Sequence, residues 1–213
     1  FFHEESSHWQ GEVPHHHFNV GTTSGNWWNG VRDENDIPLT MMRDGTPNGY
    51  SYITFNGTQY IIDWKVSGKP EDYRMNIHTP RGVKEEESSS TPITVNFFNG
   101  SEQSELSFRV LGETEWVKMD QVSKKDPFYS LIYERFNDFN SLKIKESWEN
   151  DSQLKDKSYP LIKRMYEANN STHLWQSKIG TSLTEGVHII EVMVKDRYDR
   201  EFKDYHSIRI VKD

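Results

Sequence analysis

The stretch that decides the fold is Tyr50 to Val66, YSYITFNGTQYIIDWKV, in which two β-rich runs flank an Asn-Gly pair. Asn-Gly is the preferred pair for a type I′ turn, so Asn56-Gly57 predicts a two-stranded antiparallel hairpin. In the second run, apolar side chains recur at every other position, as they do on one face of a half-buried strand. The apolar row predicted to face a core consists of Tyr60, Ile62, Trp64 and Val66.

Similar alternation continues along most of the chain outside this hairpin. It predicts further strands near residues 73–77, 93–97, 106–110, 116–119, 172–179, 187–196 and 201–211. Asp126-Pro127 is typical of a helix start, because Asp caps the first turn and Pro fits the first helical position. Apolar residues at helical spacing then predict one short helix over residues 127–138. About nine strands and one helix indicate an all-β fold, an antiparallel β-sandwich with long loops.

Two segments interrupt the strand pattern. Residues 79–92 combine Pro, Gly, three Glu and three Ser, which predicts a polar loop and an alternative division of the chain into two smaller β units. Residues 140–170 are polar, with a partly helical stretch expected around 160–168. The final alternating pair, within 186–211, resembles the last two strands of immunoglobulin-like bacterial domains.

Composition narrows the classes of function. The 213 residues carry 33 acidic and 25 basic side chains, giving a formal net charge of −8, and no basic stripe is present. This charge argues against nucleic acid as a partner. The absence of cysteine excludes disulfides and thiolate metal sites. No apolar run approaches the roughly 20 residues that cross a bilayer, so no membrane span is expected.

Several ordered motifs carry a resemblance to a known family. They are HHHFNVG at 15–21, SGNWWNG at 24–30, MRDGTPNGY at 42–50, PEDYRMNIH at 70–78, DPFY at 126–129, THLW at 172–175 and GVH at 186–188. In this order they resemble the C-terminal domain of bacterial calcineurin-like phosphoesterases, with the segment that joins it to the catalytic domain. The resemblance runs from about residue 1 to 211 and matches poorly between 143 and 170.

The resemblance implies an enzyme with a catalytic domain and a C-terminal domain, and this chain resembles the C-terminal domain. The family's catalytic domain binds two divalent metals through a set of Asp, Asn and His motifs, and none of those motifs occurs here. We therefore expect a non-catalytic accessory domain with no cofactor of its own, whose parent enzyme hydrolyses phosphate esters. The implied organisation is residues 1–48 as the segment following the catalytic domain and 49–213 as the sandwich. A Gram-negative periplasm or cell surface is the expected location, with which the lack of cysteine is compatible.

The nine histidines suggest a competing metal hypothesis. His15 and His17 would point to the same side of a strand and are the candidate ligands for Zn, Ni or Cu. The favoured interpretation is that these histidines pack against, or approach, the missing catalytic domain.

The aromatic-rich segment that follows allows two interpretations. Trp27 and Trp28 either anchor a long loop at a domain interface or form a platform for sugar rings, as in a carbohydrate-binding module. We expect the interface, formed by residues 15–49, to be exposed in this chain and to promote self-association. The candidate interface or ligand-binding residues are Trp27, Trp28, Met41, Met42, Arg43, Asp44 and Tyr50.

Overall fold

The structure is a computed structural model that describes residues 16–25, 36–37, 39–141 and 165–212, with the backbone alone for 138–141. The helices are a 3-10 helix at Glu85–Ser90 and α1 at Pro127–Ser141. The strands are β1 Gly49–Asn56, β2 Gln59–Val66, β3 Met75–His78, β4 Val83–Lys84, β5 Pro92–Phe97, β6 Glu105–Val110, β7 Val117–Lys118, β8 Asp120–Lys125, β9 Asn170–Lys178, β10 Gly186–Lys195 and β11 Glu201–Val211.

Two sheets form a sandwich, and a separate hairpin lies beside it. One sheet has the strand order β4-β11-β10-β6-β7, the other has the order β3-β5-β9-β8, and β1 and β2 form the hairpin. β4 and β11 are parallel, whereas the other pairs of named strands in the described residues are antiparallel. The predicted all-β antiparallel sandwich is therefore confirmed.

The sandwich core lies between the inner faces of the two sheets. Alternate residues of the central strands are fully buried, and they include Val95 on β5, Phe108 on β6 and Val192 on β10. Trp175 on β9 packs edge-on against Phe97, with ring centroids 6.5 Å apart. The period of two read from the sequence thus placed these apolar residues on the inner faces correctly, although β5 also buries Thr94 and Asn96 on its other face.

The hairpin forms as predicted, but its turn is displaced by one residue. Asn56 pairs with Gln59, so the two loop residues are Gly57 and Thr58. Gly57 has a φ of 62° and Thr58 has no positive φ, a combination that fits a type II′ turn rather than the predicted type I′. Asn56 therefore belongs to β1, and glycine takes the first central position of the turn.

Residues 79–92 are more ordered than a polar loop. They contain β4 and the 3-10 helix, and Ser88 within that helix is fully buried. The Ser88 hydroxyl donates to the carbonyl of Glu85 at 2.7 Å and accepts from the backbone N–H of Leu183 at 2.9 Å. The loop prediction was wrong because polar side chains of this segment form hydrogen bonds within the protein, which composition alone does not reveal. The division of the chain at these residues stays a prediction.

Helix α1 begins at the predicted residue and continues to Ser141. Tyr129, Ile132 and Phe136 on its buried face pack with Met41 and Met165 in a second apolar cluster outside the sandwich. In the described part of the chain, no helix is long and apolar enough to span a bilayer.

Candidate functional site

The loop from Met42 to Gly49, between the apolar cluster of α1 and the hairpin, is held by a dense set of hydrogen bonds. The backbone N–H of Met42 donates to the carbonyl of Thr46 at 2.8 Å, and the N–H of Gly45 donates to the carbonyl of Met42 at 2.9 Å. Oδ1 of Asp44 accepts from the N–H of Thr46 at 2.9 Å, which is the turn that Asp forms with its own backbone two residues on. The loop is therefore a fixed structural unit.

A buried amide connects this loop to both the sandwich and the helix. Asn96 on β5 is fully buried, and its Nδ2 donates to Oδ2 of Asp126 at 2.8 Å. Because that bond fixes the orientation of the amide, Oδ1 of Asn96 accepts from Nδ1 of His173 at 2.7 Å. His173 Nδ1 must carry the proton, and its Nε2 lies 3.2 Å from Oγ1 of Thr46 and 3.4 Å from Oδ2 of Asp44.

Asp126 is the point where the network meets α1. Its side chain is almost fully buried, and Oδ1 accepts from the backbone N–H of Tyr129 at 2.7 Å, as the sequence predicted for a helix cap. Nε2 of His78 lies 3.7 Å from Oδ2 of Asp126. Gly45 packs against the same carboxyl group: a Cβ at Gly45 would lie 2.2 Å from Cγ of Asp126. This close approach, with a φ of 86° at Gly45, explains why the loop requires glycine there.

The network shifts the pKa of two of its groups. Burial alone would raise the pKa of Asp44, but the hydrogen bond and charge of His173 and the bonds from Thr46 outweigh burial and lower it to about 2. Burial lowers the pKa of His78, which Asp126 opposes and His206 reinforces. Asp44 is therefore ionised throughout the neutral range, and its negative charge is a permanent feature of the loop.

A second polar cluster joins the hairpin to the sandwich. Asp63 on β2 is buried and accepts from Nη1 of Arg74 at 2.9 Å and from Nη1 of Arg200 at 3.0 Å. Burial would raise the pKa of Asp63, but the two guanidinium groups hold it below its usual value. Arg200 also donates from Nε to Asp196 at 2.8 Å, in the turn between β10 and β11. The alternation of β2 predicted Asp63 on the face opposite Trp64, but gave no sign that both faces are covered there.

The edge of β2 is fixed by two further bonds at a single residue. The N–H of Ile62 donates to the hydroxyl of Tyr198 at 3.1 Å, and Nδ2 of Asn99 donates to the carbonyl of Ile62 at 2.9 Å. These bonds hold the hairpin base, the part of β2 from Ile62 to Val66, to the sandwich, whereas the other strand, β1, is exposed. Phe55 is 70% and Ile53 45% exposed.

The structure separates the predicted interface residues. Met41 is buried against α1, whereas Tyr50 is 49% exposed on β1. Arg43 donates from Nε to the carbonyl of Glu167 at 2.8 Å and lies over the ring of Tyr166. Met42 is half-buried, with its sulfur 3.6 Å from the hydroxyl of Thr22.

Three predicted residues, Trp27, Trp28 and His15, lie outside the described residues, so their roles stay predictions. His17 is exposed. Within residues 16–25, 36–37, 39–141 and 165–212, no three His, Asp or Glu side chains are grouped so that they could hold a metal ion.

Substitution of Gly45 tests the close approach to Asp126. We expect Gly45→Ala to destabilise the fold by about 2 kcal/mol or more, because backbone strain adds to a steric clash. Gly57→Ala is the matched control, since Gly57 also has a positive φ but has open space around it. That control should cost less than Gly45→Ala, because it adds backbone strain without a steric clash. Equal losses of unfolding free energy for Gly45→Ala and Gly57→Ala, measured in urea, would show that packing of Gly45 against Asp126 contributes nothing to stability.

Substitution of Asp44 tests the charge of the loop. Because the folded-state pKa of Asp44 is about 2, below its value of 3.8 in model compounds, its ionised form stabilises the fold above about pH 4. This contribution is lost as the pH falls towards 2. At pH 7 we expect Asp44→Asn to cost about 1 kcal/mol in urea unfolding, and the gap from the unsubstituted chain to shrink below pH 4. Asp120→Asn, at an exposed position, is the control. A difference in unfolding free energy between Asp44→Asn and the unsubstituted chain that stays constant down to pH 2.5 would contradict the lowered pKa of Asp44.

A sequence model of one protein family matches most of this chain. The family is described as the C terminal of calcineurin-like phosphoesterase, and the match covers residues 17–202. Searches of curated proteins and of solved structures gave no match. Four of the motifs that carry the resemblance, those containing Asp44, His78, Asp126 and His173, meet in the network around Asn96. The chain belongs to the family of C-terminal domains of calcineurin-like phosphoesterases.

Proposed function

We propose that this chain is the accessory C-terminal domain of a calcineurin-like phosphoesterase and that it packs on the catalytic domain through the hairpin β1–β2. On this proposal, hydrolysis of the phosphate ester takes place in the catalytic domain, with two divalent metals. This domain positions that catalytic domain and contributes no reacting group. We place the parent enzyme in the periplasm or on the surface of a Gram-negative bacterium.

The observation that carries the proposal is a set of exposed apolar side chains on the hairpin, here called the hairpin patch. On one face of the hairpin they are Tyr50, Tyr52 and Ile61, and on the other face they are Ile53 and Phe55. Single exposed apolar residues are common on monomers, but several on one short hairpin are typical of a surface with a binding role. Within the described residues, β1 pairs with β2 alone, and most of its side chains are exposed.

The way the hairpin is mounted favours a docking role. Asp63 is fixed by two arginines, and Ile62 by Tyr198 and Asn99, so the hairpin base cannot move freely against the sandwich. Trp64 and Val66 at the same base are buried with Phe98. A patch that is held rigidly before binding loses little conformational entropy on association, which strengthens binding.

The hairpin patch also has the composition of an interface core. Tyr and other aromatic residues are enriched at such cores, whereas acids and lysine are depleted. β1 itself, GYSYITFN, contains no charged residue at all. The predicted contact residue Tyr50 belongs to the patch, while Met41 is buried elsewhere and has no part in it.

Binding between separate polypeptides tests the proposal. The parent's catalytic domain and this chain would be produced separately and titrated by calorimetry. We expect binding, weakened at least about tenfold by Ile53→Asp with Phe55→Asp, because each introduces a charge into a desolvated contact.

Tyr205→Asp provides the matched control, since Tyr205 is exposed on β11, outside the hairpin. Circular dichroism melts would establish that each variant keeps its fold. Equal affinity of the hairpin variant and the unsubstituted chain, or no binding of the unsubstituted chain, would refute docking through the hairpin patch.

A further inference from the structure

A cavity of about 490 Å³ opens beside the loop and the hairpin base. Its walls come from residues 16–22, the loop at 42–46, the base of β2, the turn at 98–102 and the turn at 197–198, with side chains from β8 and β9. Cavities of roughly 300–1,000 Å³ are the usual size for small-molecule sites. Neither the hairpin patch nor the network around Asn96 accounts for this space.

Aromatic side chains form part of the cavity wall. Phe18, Trp64, Phe98 and Tyr198 all line it. Trp64 and Phe98 are buried in one cluster, and Tyr198 is fixed by its bond from Ile62. Phe18 and Tyr198 are half-buried and expose ring surface against which the apolar face of a ligand ring can pack, whereas Trp64 and Phe98 are 5% and 7% exposed and lie behind that surface.

The polar groups of the cavity include both acceptors and donors. One N–H of Asn99 Nδ2 donates to the carbonyl of Ile62, and one N–H of Gln121 Nε2 donates to the carbonyl of Thr172 at 2.7 Å. Each amide keeps a second N–H and its oxygen, so both side chains can donate and accept. The carboxylates of Asp44 and Glu102 also line the cavity, and they accept only. A ligand that fits this set must bring several hydrogen-bond donors and also acceptors.

Among ligands rich in hydrogen-bond donors, the charges of the cavity wall favour a neutral ligand over a cationic one. Arg197 also lines the cavity, so the wall carries a cation as well as the two carboxylates. A polyamine or another strongly cationic ligand would meet that guanidinium group, whereas a neutral ring with hydroxyl groups can donate to the carboxylates and accept from Arg197.

From the aromatic wall, the carboxylates, the amides that both donate and accept, and the mixed charge, we infer that this cavity binds a neutral hydroxyl-rich ring, that is, a mono- or disaccharide unit. Asp44 anchors the ligand, because its carboxylate is held in place by Thr46 and His173 while its side chain is 35% exposed. Glu102 and Gln121, both exposed, provide further acceptors at the rim. The site is distinct from the hairpin patch, so it stands whether or not the hairpin docks on a catalytic domain.

Titration of the 213-residue chain tests the inference. Defined mono- and oligosaccharides would be screened on an array, and each hit would be titrated by tryptophan fluorescence and calorimetry. Spermidine and arginine would be titrated in parallel as cationic probes. We expect saturable binding of at least one saccharide, weakened about tenfold by Glu102→Ala and by Gln121→Ala, since each loses hydrogen bonds to hydroxyl groups.

Glu115→Ala is the control, because Glu115 is an exposed acid outside the cavity wall. It should leave the affinity unchanged. The inference fails if no saccharide binds, if only the cationic probes bind, or if saccharide affinity is the same in both cavity variants as in the unsubstituted chain. Melting curves of the two variants would confirm that lost binding does not reflect lost folding.

Discussion

The buried amide of Asn96 is the interaction on which the rest of this structure depends. It lies on β5 in the centre of one sheet, yet it bonds to the cap of α1 through Asp126 and to β9 through His173. Its Nδ2 is also 3.4 Å from the carbonyl of Asp44 in the loop. Removing one partner from such a network leaves others buried without hydrogen bonds, at a cost of about 1–3 kcal/mol each. The sandwich, the helix and the loop are thus joined at one point.

The network fixes the positions of two surfaces, the hairpin patch and the cavity wall at Asp44. The loop it holds leads directly into β1, so the start of the hairpin is fixed by the Gly45 contact with Asp126. The ion pairs of Asp63 then fix the other strand of the hairpin. The carboxylate of Asp44 is fixed at the cavity by the same bonds that hold the loop. The network that holds these surfaces is built from family motifs that are distant in sequence.

Local sequence rules predicted what local forces determine. The hairpin, the apolar alternation of the central strands and the helix start at Asp126 all follow from interactions within a few residues. Strands β4 and β8 were not predicted, since β4 has two residues and β8, DQVSKK, has one apolar residue and lies at a sheet edge. Such strands are specified by the neighbour they pair with rather than by their own pattern.

The candidate site was harder to predict from the sequence than the fold was. Asp44 was named as a contact residue, but its partner His173 is 129 residues further along the chain and was known only as part of a motif. Asn96 carried no signal, because an Asn in an alternating strand is usually read as solvent-facing. The family motifs contain Asp44, His78, Asp126 and His173, and only the three-dimensional arrangement shows that these residues meet. The burial of Asp63 likewise depends on two arginines from separate segments.

A double-mutant cycle between His173 and Asp126 tests most directly whether these motifs act as one network. Both residues bond to Asn96, so removal of either should weaken the hold on the other. Urea unfolding of His173→Ala, Asp126→Ala and the double variant gives the coupling energy. We expect a coupling of about 1 kcal/mol or more. Additive losses, with a coupling of zero within error, would contradict it.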